Sequence, residues 1–157
     1  ATEIPLNLSS FSLRDLLNIC IGKLNPSNNK KVVVNLHPDT DITITADKIH
    51  LINIIDNLLE NAVKYSREDV HIEIDYQEQD NDSIRISVKD NGLGISKSDS
   101  RHIFEKFYRS RAVIDKGIPG MGLGLTYVRM LVEAHHGTIR IESEQTSGST
   151  FIIELPQ

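Results

Sequence analysis

The chain has 157 residues, of which 39% are hydrophobic and 25% are charged, and this composition predicts one globular domain over residues 1–157. A net charge of −5 argues against a nucleic acid partner, because such a partner needs a concentrated basic face. No apolar run reaches the length of a membrane span and no signal-peptide pattern occurs, so we expect no direct membrane contact by this chain. The single cysteine, Cys20, lies in an apolar stretch and suits a reducing compartment such as the cytoplasm.

The first half of the chain predicts two helices separated by two short strands. Leucines at helical spacing predict a helix from Ser12 to Leu24, with Ser12 as its N-cap. The β-branched runs at 32–36 and 42–45 flank a turn that contains proline and aspartates, and we expect these two runs to pair with each other. A longer helix follows from about Asp47 to Tyr65.

Two alternating runs, at 71–76 and 83–89, flank a polar turn and predict a β-hairpin. The second run places one set of side chains on a dry face of the sheet: Ile84, Ile86 and Val88. A short amphipathic stretch follows at 97–107. The next segment, 109–120, has no periodicity, and we expect it to be a mobile loop.

The last part of the chain predicts a helix from Leu123 to Ala134, which ends where Gly137 takes the left-handed conformation. Runs at 138–144 and 150–155 predict a closing hairpin. Hairpins outnumber βαβ units along the chain, which disfavours a doubly wound fold. The sequence therefore predicts an α+β two-layer sandwich, in which one mixed, mainly antiparallel β-sheet is covered on one face by about three helices.

Three asparagines give the second helix a polar face. Apolar side chains occupy the opposite side, and the polar arc contains Asn53, Asn57, Glu60, Asn61 and Lys64. Asparagine is a mediocre helix former, so a face that only met water would be better served by Lys, Glu or Gln. Carboxamide oxygens on successive turns are hard ligands for Mg²⁺, and a lysine one turn further along can reach a phosphate. A plainly solvated face is the alternative.

Asp90 ends the second strand of the first hairpin, beside Gly92 and Gly94. Because a carboxylate only accepts hydrogen bonds, Asp90 suits the exocyclic amine of adenine and disfavours the keto oxygen of guanine. The glycines remove side chains where the backbone and a base would approach closely. An ordinary Asp-Asn-Gly turn is the alternative.

A glycine-spaced segment opens the last helix: Gly120, Met121, Gly122, Leu123, Gly124 and Leu125. Backbone N–H groups at a helix start, unshielded by side chains, suit an anionic phosphate. The segment is neither a dinucleotide fingerprint nor a P-loop. A flexible lid that closes on a polyphosphate, or an ordinary surface loop, would explain the cations in and beside the preceding loop: Lys106, Arg109, Arg111 and Lys116.

Together these segments resemble the catalytic ATP-binding domain of bacterial sensor histidine kinases (Bergerat-type fold), within the wider superfamily of gyrase-type, heat-shock-chaperone and mismatch-repair ATPases. The resemblance covers nearly the whole chain. Five motifs follow the order of the family: the asparagine box at 57–65, the first glycine box at 90–94, the phenylalanine box at 104–109, the second glycine box at 120–125 and a small hairpin motif at 148–150.

The resemblance implies binding of ATP and Mg²⁺ and transfer of the γ-phosphoryl group to a histidine. It gives Asn61 as the principal Mg²⁺ ligand with Asn57 assisting, Lys64 and Tyr65 as nucleotide contacts, and Asp90 as the adenine contact. The implied catalytic set is Asn57, Glu60, Asn61 and Lys64. The other implied nucleotide contacts are Gly92, Gly94, Ile95, Lys106, Phe107, Arg109, Gly120, Gly122, Leu123, Gly124, Leu125 and Thr150.

The chain differs from the hydrolytic members of the wider superfamily at one position that matters for the reaction. Hydrolytic members of the wider superfamily carry a glutamate at the position of Asn57, and an asparagine cannot act as that base. We therefore expect phosphoryl transfer to a presented acceptor rather than fast hydrolysis, and the role of Glu60 on the same helix face stays open.

None of the six histidines is followed by the acidic residue and Arg-Thr-Pro run of the family's acceptor site. The resemblance thus implies two partners, the phosphoacceptor dimerisation domain of the same parent protein and a response regulator. It also implies that the isolated domain is monomeric and that the parent is cytoplasmic or anchored in the inner membrane. A serine kinase of the anti-sigma-factor type, a slow ATPase and a nucleotide sensor without catalysis are the alternatives.

Overall fold

The computed structural model describes residues 4–24, 30–66, 69–109, 114, 124–144 and 147–157. In chain order, the helices and strands are β1 (Leu8–Ser12), α1 (Leu13–Gly22), β2 (Val32–His37), β3 (Thr43–Asp47), α2 (Lys48–Lys64), β4 (Val70–Gln79), β5 (Ser83–Asp90), α3 (Lys97–Ser100), α4 (Gly124–Ala134), β6 (Thr138–Glu144) and β7 (Gly148–Pro156).

A five-stranded sheet in the order β2-β4-β5-β7-β6 forms the frame of the domain. β2 pairs with β4 in parallel, and the other three pairings are antiparallel. This sheet has the mixed, mainly antiparallel character that the sequence predicts. Both predicted hairpins, β4–β5 and β6–β7, are confirmed.

The helices cover one face of this sheet. α2 packs on β4 and β5, α4 packs on α2 and β6, and α1 packs on α2. The predicted dry face of β5 is confirmed, because Ile84, Ile86 and Val88 are at most 2% exposed. The apolar side of α2 is buried as well, through Ile54, Ile55, Leu58, Leu59 and Ala62. The α+β two-layer architecture is therefore confirmed.

Hydrogen bonds fix the ends of the first two long helices. The Ser12 hydroxyl accepts a hydrogen bond from the Asp15 N–H at 3.1 Å and caps α1, as predicted. Asp47 caps α2 in the same way by accepting from the His50 N–H at 3.0 Å. At the other end of α2, the Lys30 ammonium donates to the carbonyl oxygens of Val63 and Ser66, each at 3.2 Å. Such a cation satisfies carbonyl groups that the helix itself leaves unpaired.

The expected pairing of the runs at 32–36 and 42–45 is wrong. β2 lies at the edge of the large sheet beside β4, whereas β3 pairs with β1 in a separate two-stranded sheet. The segment that connects them is hydrogen-bonded to other elements. Asp41 accepts from the Arg14 N–H at 3.0 Å, and the Tyr76 hydroxyl donates to the Thr40 carbonyl at 2.6 Å. These bonds hold the connection against α1 and β4, so it does not fold as a hairpin turn. The short, serine-rich β1 was not predicted.

The end of α4 differs from the prediction in its left-handed residue. His136 has a φ of +60°, and Gly137 is not left-handed. The Gly137 N–H donates to the Val132 carbonyl at 3.0 Å. A glycine is needed at this position because the backbone passes close to β7: a Cβ at Gly137 would overlap the Glu154 carbonyl oxygen. The stretch at 97–107 is also less regular than its pattern indicates, since α3 ends at Ser100 and turns follow.

None of the helices in the described part of the chain combines the length and the apolar character that a membrane crossing requires.

Candidate functional site

A cleft of about 670 Å³, open solvent included, lies beside the C-terminal half of α2, the end of β5 and the start of β7. The cleft is lined by Asn61, Tyr65, Asp90, Leu93, Gly94, Ile95, Ile103, Tyr108, Arg109, Leu125, Ser149 and Phe151. The asparagine helix, the Asp-Asn-Gly turn and the start of the last helix therefore meet at one place.

Asp90 carries the most constrained polar group of the cleft. Its Oδ1 accepts hydrogen bonds from the Gly92 N–H at 2.9 Å and the Ser149 N–H at 3.2 Å. Among the described residues, Oδ2 receives no hydrogen bond. Burial raises the pKa of the Asp90 carboxyl above the ordinary value of 3.8, although the two N–H bonds oppose the rise. The cleft thus contains one acceptor oxygen that a ligand's donor can satisfy.

Two glycines let other backbone segments approach Asp90. A Cβ at Gly92 would lie 2.9 Å from the Tyr65 carbonyl oxygen, and a Cβ at Gly148 would overlap the Asp90 carbonyl oxygen. Gly148 also has a φ of +92°, which a side chain disfavours. The Leu93 N–H donates to the Tyr65 carbonyl at 3.1 Å. These contacts join the end of α2, the end of β5 and the β6–β7 hairpin.

The asparagine face of α2 meets the first turn of α4. The Asn57 carboxamide donates through Nδ2 to the Asn53 carbonyl at 2.7 Å, which leaves Oδ1 as the acceptor. That oxygen lies 3.2 Å from the place that a Cβ on Gly124 would occupy. Asn61, one turn further along α2, lines the cleft. Two carboxamide groups therefore lie beside the helix start that the sequence predicts to bind phosphate.

Two cations adjoin the same side of the cleft. Burial and, after it, the positive charge of Arg109 lower the pKa of Lys64. The Lys64 ammonium lies 5.5 Å from the centroid of the Tyr65 ring. The effect of Arg109 on Lys64 shows that the two positive charges lie close to each other. An anion placed near both would therefore be attracted by both. This side of the cleft suits a polyphosphate.

Some of the predicted contacts lie outside the cleft. Glu60 is exposed on α2. Lys106 and Phe107 are also exposed, and the Lys106 ammonium lies 5.7 Å from the centroid of the Phe107 ring. Thr150 does not line the cleft, although its neighbours Ser149 and Phe151 do, since alternate residues of a strand point to opposite sides.

Other predicted features lie outside the described residues. These are Gly120, Gly122 and Leu123, the lid cations Arg111 and Lys116, and nearly all of the loop expected at 109–120.

Sequence reasoning missed several residues that line the cleft: Leu93, Ile103, Tyr108, Ser149 and Phe151. Ile103 and Phe151 carry no signal that separates them from core residues. The other three do carry a signal, because they lie within the motifs at 90–94, 104–109 and 148–150. Tyr108 is fixed by its hydroxyl, which donates to the Asp99 carboxylate, and this bond raises the pKa of Tyr108 to about 12.

The chain matches a known protein family over most of its length. The family model described as "Histidine kinase-, DNA gyrase B-, and HSP90-like ATPase" matches residues 46–157, which contain every segment that lines the cleft. The chain belongs to this ATPase family. The resemblance that the motifs indicate is thereby confirmed.

Relatives within this ATPase family include named sensor proteins. Sensor protein RprX of Bacteroides fragilis (strain YCH46) is 40% identical over 129 residues, which cover 82% of this chain and 25% of that protein. Sensor histidine kinase WalK of Bacillus subtilis (strain 168) is 37% identical over 121 residues, covering 76% of this chain and 20% of that protein. The chain spans a quarter or less of the length of these relatives.

Solved structures show the same ATPase-family fold. Full-length ShkA in complex with AMPPNP superposes with a TM-score of 0.83 and 28% identity, over 99% of this chain and 32% of that chain. The mycobacterial sensor histidine kinase MprB has a TM-score of 0.78 and 24% identity, over 94% of this chain and 96% of that chain. The second likeness concerns the fold alone.

The raised pKa of Asp90 predicts how pH changes the stability of the empty domain. A raised pKa means that the folded chain binds this proton more tightly than the unfolded chain does. The resulting stabilisation is present at low pH and is lost as the pH rises through the raised pKa. At pH 7 the half-buried carboxylate is a destabilising charge, so we expect Asp90→Asn to raise the urea midpoint of unfolding there. The difference from wild type should shrink as the pH falls towards 3.8.

Asp80→Asn is the matched control, because Asp80 is exposed in the β4–β5 turn and its substitution should leave the midpoint almost unchanged. A less stable Asp90→Asn chain at pH 7, or a difference from wild type that does not narrow on acidification, would contradict this account of the carboxylate.

Proposed function

We propose that this chain is the ATP-binding catalytic domain of a sensor histidine kinase. In this proposal it binds ATP with Mg²⁺ and transfers the γ-phosphoryl group to a histidine on a separate dimerisation domain of its parent protein. The observation that carries the proposal is the meeting of Asn61, Asp90 and Arg109 in one cleft. The sensor-kinase relatives and the AMPPNP complex of ShkA support it.

The purine end of the site is assigned to Asp90. Its Oδ2 accepts a hydrogen bond from the exocyclic amine of adenine, while Oδ1 stays engaged by the two backbone N–H groups. Guanine would place a second acceptor against that oxygen, so the site prefers ATP to GTP. Apolar side chains from three segments surround the place of the base: Leu93, Ile103 and Phe151.

The phosphate end is assigned to the polar side of α2 and to the start of α4. Asn61, assisted by Asn57, would hold Mg²⁺ through carboxamide oxygens, and the fit is supported by the Asn57 Oδ1, which the Nδ2 bond to Asn53 leaves as an acceptor. Bound Mg²⁺ supplies positive charge to the phosphate oxygens during transfer. Lys64, Arg109 and the N–H groups at the start of α4 bind and orient the same phosphates. Gly120, Gly122 and Leu123 belong to this end by sequence alone.

Transfer rather than hydrolysis follows from Asn57. A carboxamide does not take up a proton at neutral pH, and its nitrogen is already used as a donor to Asn53. The chain therefore presents no base at this position to activate a water molecule. Its contribution to the reaction is to hold the phosphates in place until an acceptor side chain is aligned with them. The isolated domain is expected to consume ATP slowly.

Nucleotide preference tests the purine assignment. In titration calorimetry with Mg²⁺, the wild-type chain should bind ATP more tightly than GTP. Asp90→Asn should weaken ATP binding by about 10- to 100-fold, because a hydrogen bond to a charged group contributes about 1.5–3 kcal/mol. Asp80→Asn should bind like wild type. A wild-type chain that fails to bind ATP at millimolar concentration, or binds GTP equally well, would refute the proposal.

Phosphotransfer tests the reaction itself. The full chain is incubated with labelled ATP, with and without the helical dimerisation segment of the parent gene. We expect acid-labile phosphate on that segment, because phosphohistidine is lost in acid. Asn61→Ala should reduce the rate of labelling at least about tenfold through the loss of a Mg²⁺ ligand, whereas Asn35→Ala, on the far edge strand β2, should not. Acid-stable label would indicate a serine kinase, and rapid phosphate release without an acceptor would indicate an ATPase.

A further inference from the structure

The side chain of Ser143 connects three segments without lining the cleft. Its hydroxyl oxygen lies 2.7 Å from the Ile95 nitrogen, 3.0 Å from the Gly148 carbonyl oxygen and 2.9 Å from the Ser149 hydroxyl oxygen. Ser143 belongs to β6, Ile95 follows β5, and the other two residues begin β7. One hydroxyl group therefore links the segment after β5 to the β6–β7 hairpin.

The single proton of the Ser143 hydroxyl determines the direction of its three hydrogen bonds. A serine hydroxyl has one proton to donate and two lone pairs that accept. The Ile95 N–H must donate, and the Gly148 carbonyl must accept. All three contacts are satisfied only if Ser143 donates to Gly148 and accepts from both Ile95 and the Ser149 hydroxyl. The Ser149 proton is then directed away from the cleft.

Two of the three partners, Ile95 and Ser149, line the cleft. The third, Gly148, immediately precedes Ser149, whose N–H holds the Asp90 Oδ1 at 3.2 Å. A shift of the hairpin away from Ser143 would therefore move the N–H that orients Asp90. A shift of Ile95 would move the wall next to Gly94, which has a φ of +71°.

We propose that Ser143 is a positioning residue for the purine end of the cleft. It touches no nucleotide, but it fixes Ile95 and Ser149 and, through the Ser149 N–H, the carboxylate of Asp90. This role rests on the proposed function, since it requires a purine base beside Asp90. The phosphate end is assigned to α2, Arg109 and the start of α4, and the hydrogen bonds of Ser143 among the described residues go to none of these.

Removal of the hydroxyl should therefore affect the two ends of the nucleotide differently. Ser143→Ala leaves the Ile95 N–H and the Gly148 carbonyl without their partner. We expect ATP to bind about tenfold more weakly, as the loss of one or two neutral hydrogen bonds predicts. Inorganic tripolyphosphate with Mg²⁺ should bind as it does to wild type. A defect that only loosened the whole fold would weaken both ligands.

A matched pair of variants isolates the hydroxyl. Ser143→Thr keeps the hydroxyl and Ser143→Val has the same shape without it, and both side chains suit a strand. By calorimetry with the full chain, Ser143→Thr should bind ATP within about threefold of wild type, and Ser143→Val should bind it as weakly as Ser143→Ala. Ser87→Ala, in β5 on the side away from the helices, should change nothing. This pair keeps the test valid even if Ser143→Ala does not fold.

The outcomes separate the two proposals. A wild-type chain that binds ATP, together with Ser143→Ala and Ser143→Val chains that bind it equally well, would overturn the role of Ser143 alone. Equal losses for ATP and tripolyphosphate would overturn it too, because the effect would then not be confined to the purine end. A wild-type chain that binds no ATP would overturn the proposed function and this role with it.

Discussion

The half-satisfied carboxylate of Asp90 is the constraint on which the site depends. Backbone N–H groups from two segments hold Oδ1, Oδ2 has no partner among the described residues, and burial disfavours the charge. A half-buried carboxylate with an open acceptor loses part of its hydration in an empty protein, and a ligand that donates a hydrogen bond to it compensates this loss. The glycines around Asp90 serve this geometry, since they let the end of α2 and the start of β7 reach it. The unpaired Oδ2 of Asp90 thus lowers the stability of the empty domain and at the same time provides an acceptor for the ligand.

The position of the proposed phosphate end depends on α2. Its start is joined to α4 by His135, whose Nε2 accepts from the Asp47 N–H at 3.0 Å and whose Nδ1 donates to the Leu131 carbonyl at 2.8 Å. Its end is held by the Lys30 ammonium and by the Leu93 N–H. Because hydrogen bonds hold both ends of α2, its polar face has a defined position relative to Asp90 and to the first turn of α4. Binding groups on a rigid element of this kind need little reorganisation.

The sequence predicts those parts of the site in which residue type and spacing carry the chemistry. The asparagines of α2 and the carboxylate at the end of an alternating strand are of this kind. It does not predict the pairing of β2 or β3, because β-branched runs on either side of a turn have the same pattern whether or not they pair with each other. Ser149 was missed because the sequence analysis took Thr150 from the same hairpin motif as the contact, and only the register of β7 decides which of two neighbouring strand residues faces the cleft. The apolar residues of the cleft look like core residues until the fold separates them.

The central claim is that a single cleft holds the base at Asp90 and the metal at the asparagines of α2. It is tested most directly by nuclear magnetic resonance of the labelled chain with ATP and paramagnetic Mn²⁺ in place of Mg²⁺. The account predicts that line broadening is strongest at the side-chain amides of Asn57 and Asn61, and that, with Mg²⁺ restored, the adenine protons show contacts with Ile103 and Phe151. Broadening centred on the acidic β4–β5 turn, or adenine contacts away from Asp90, would contradict it.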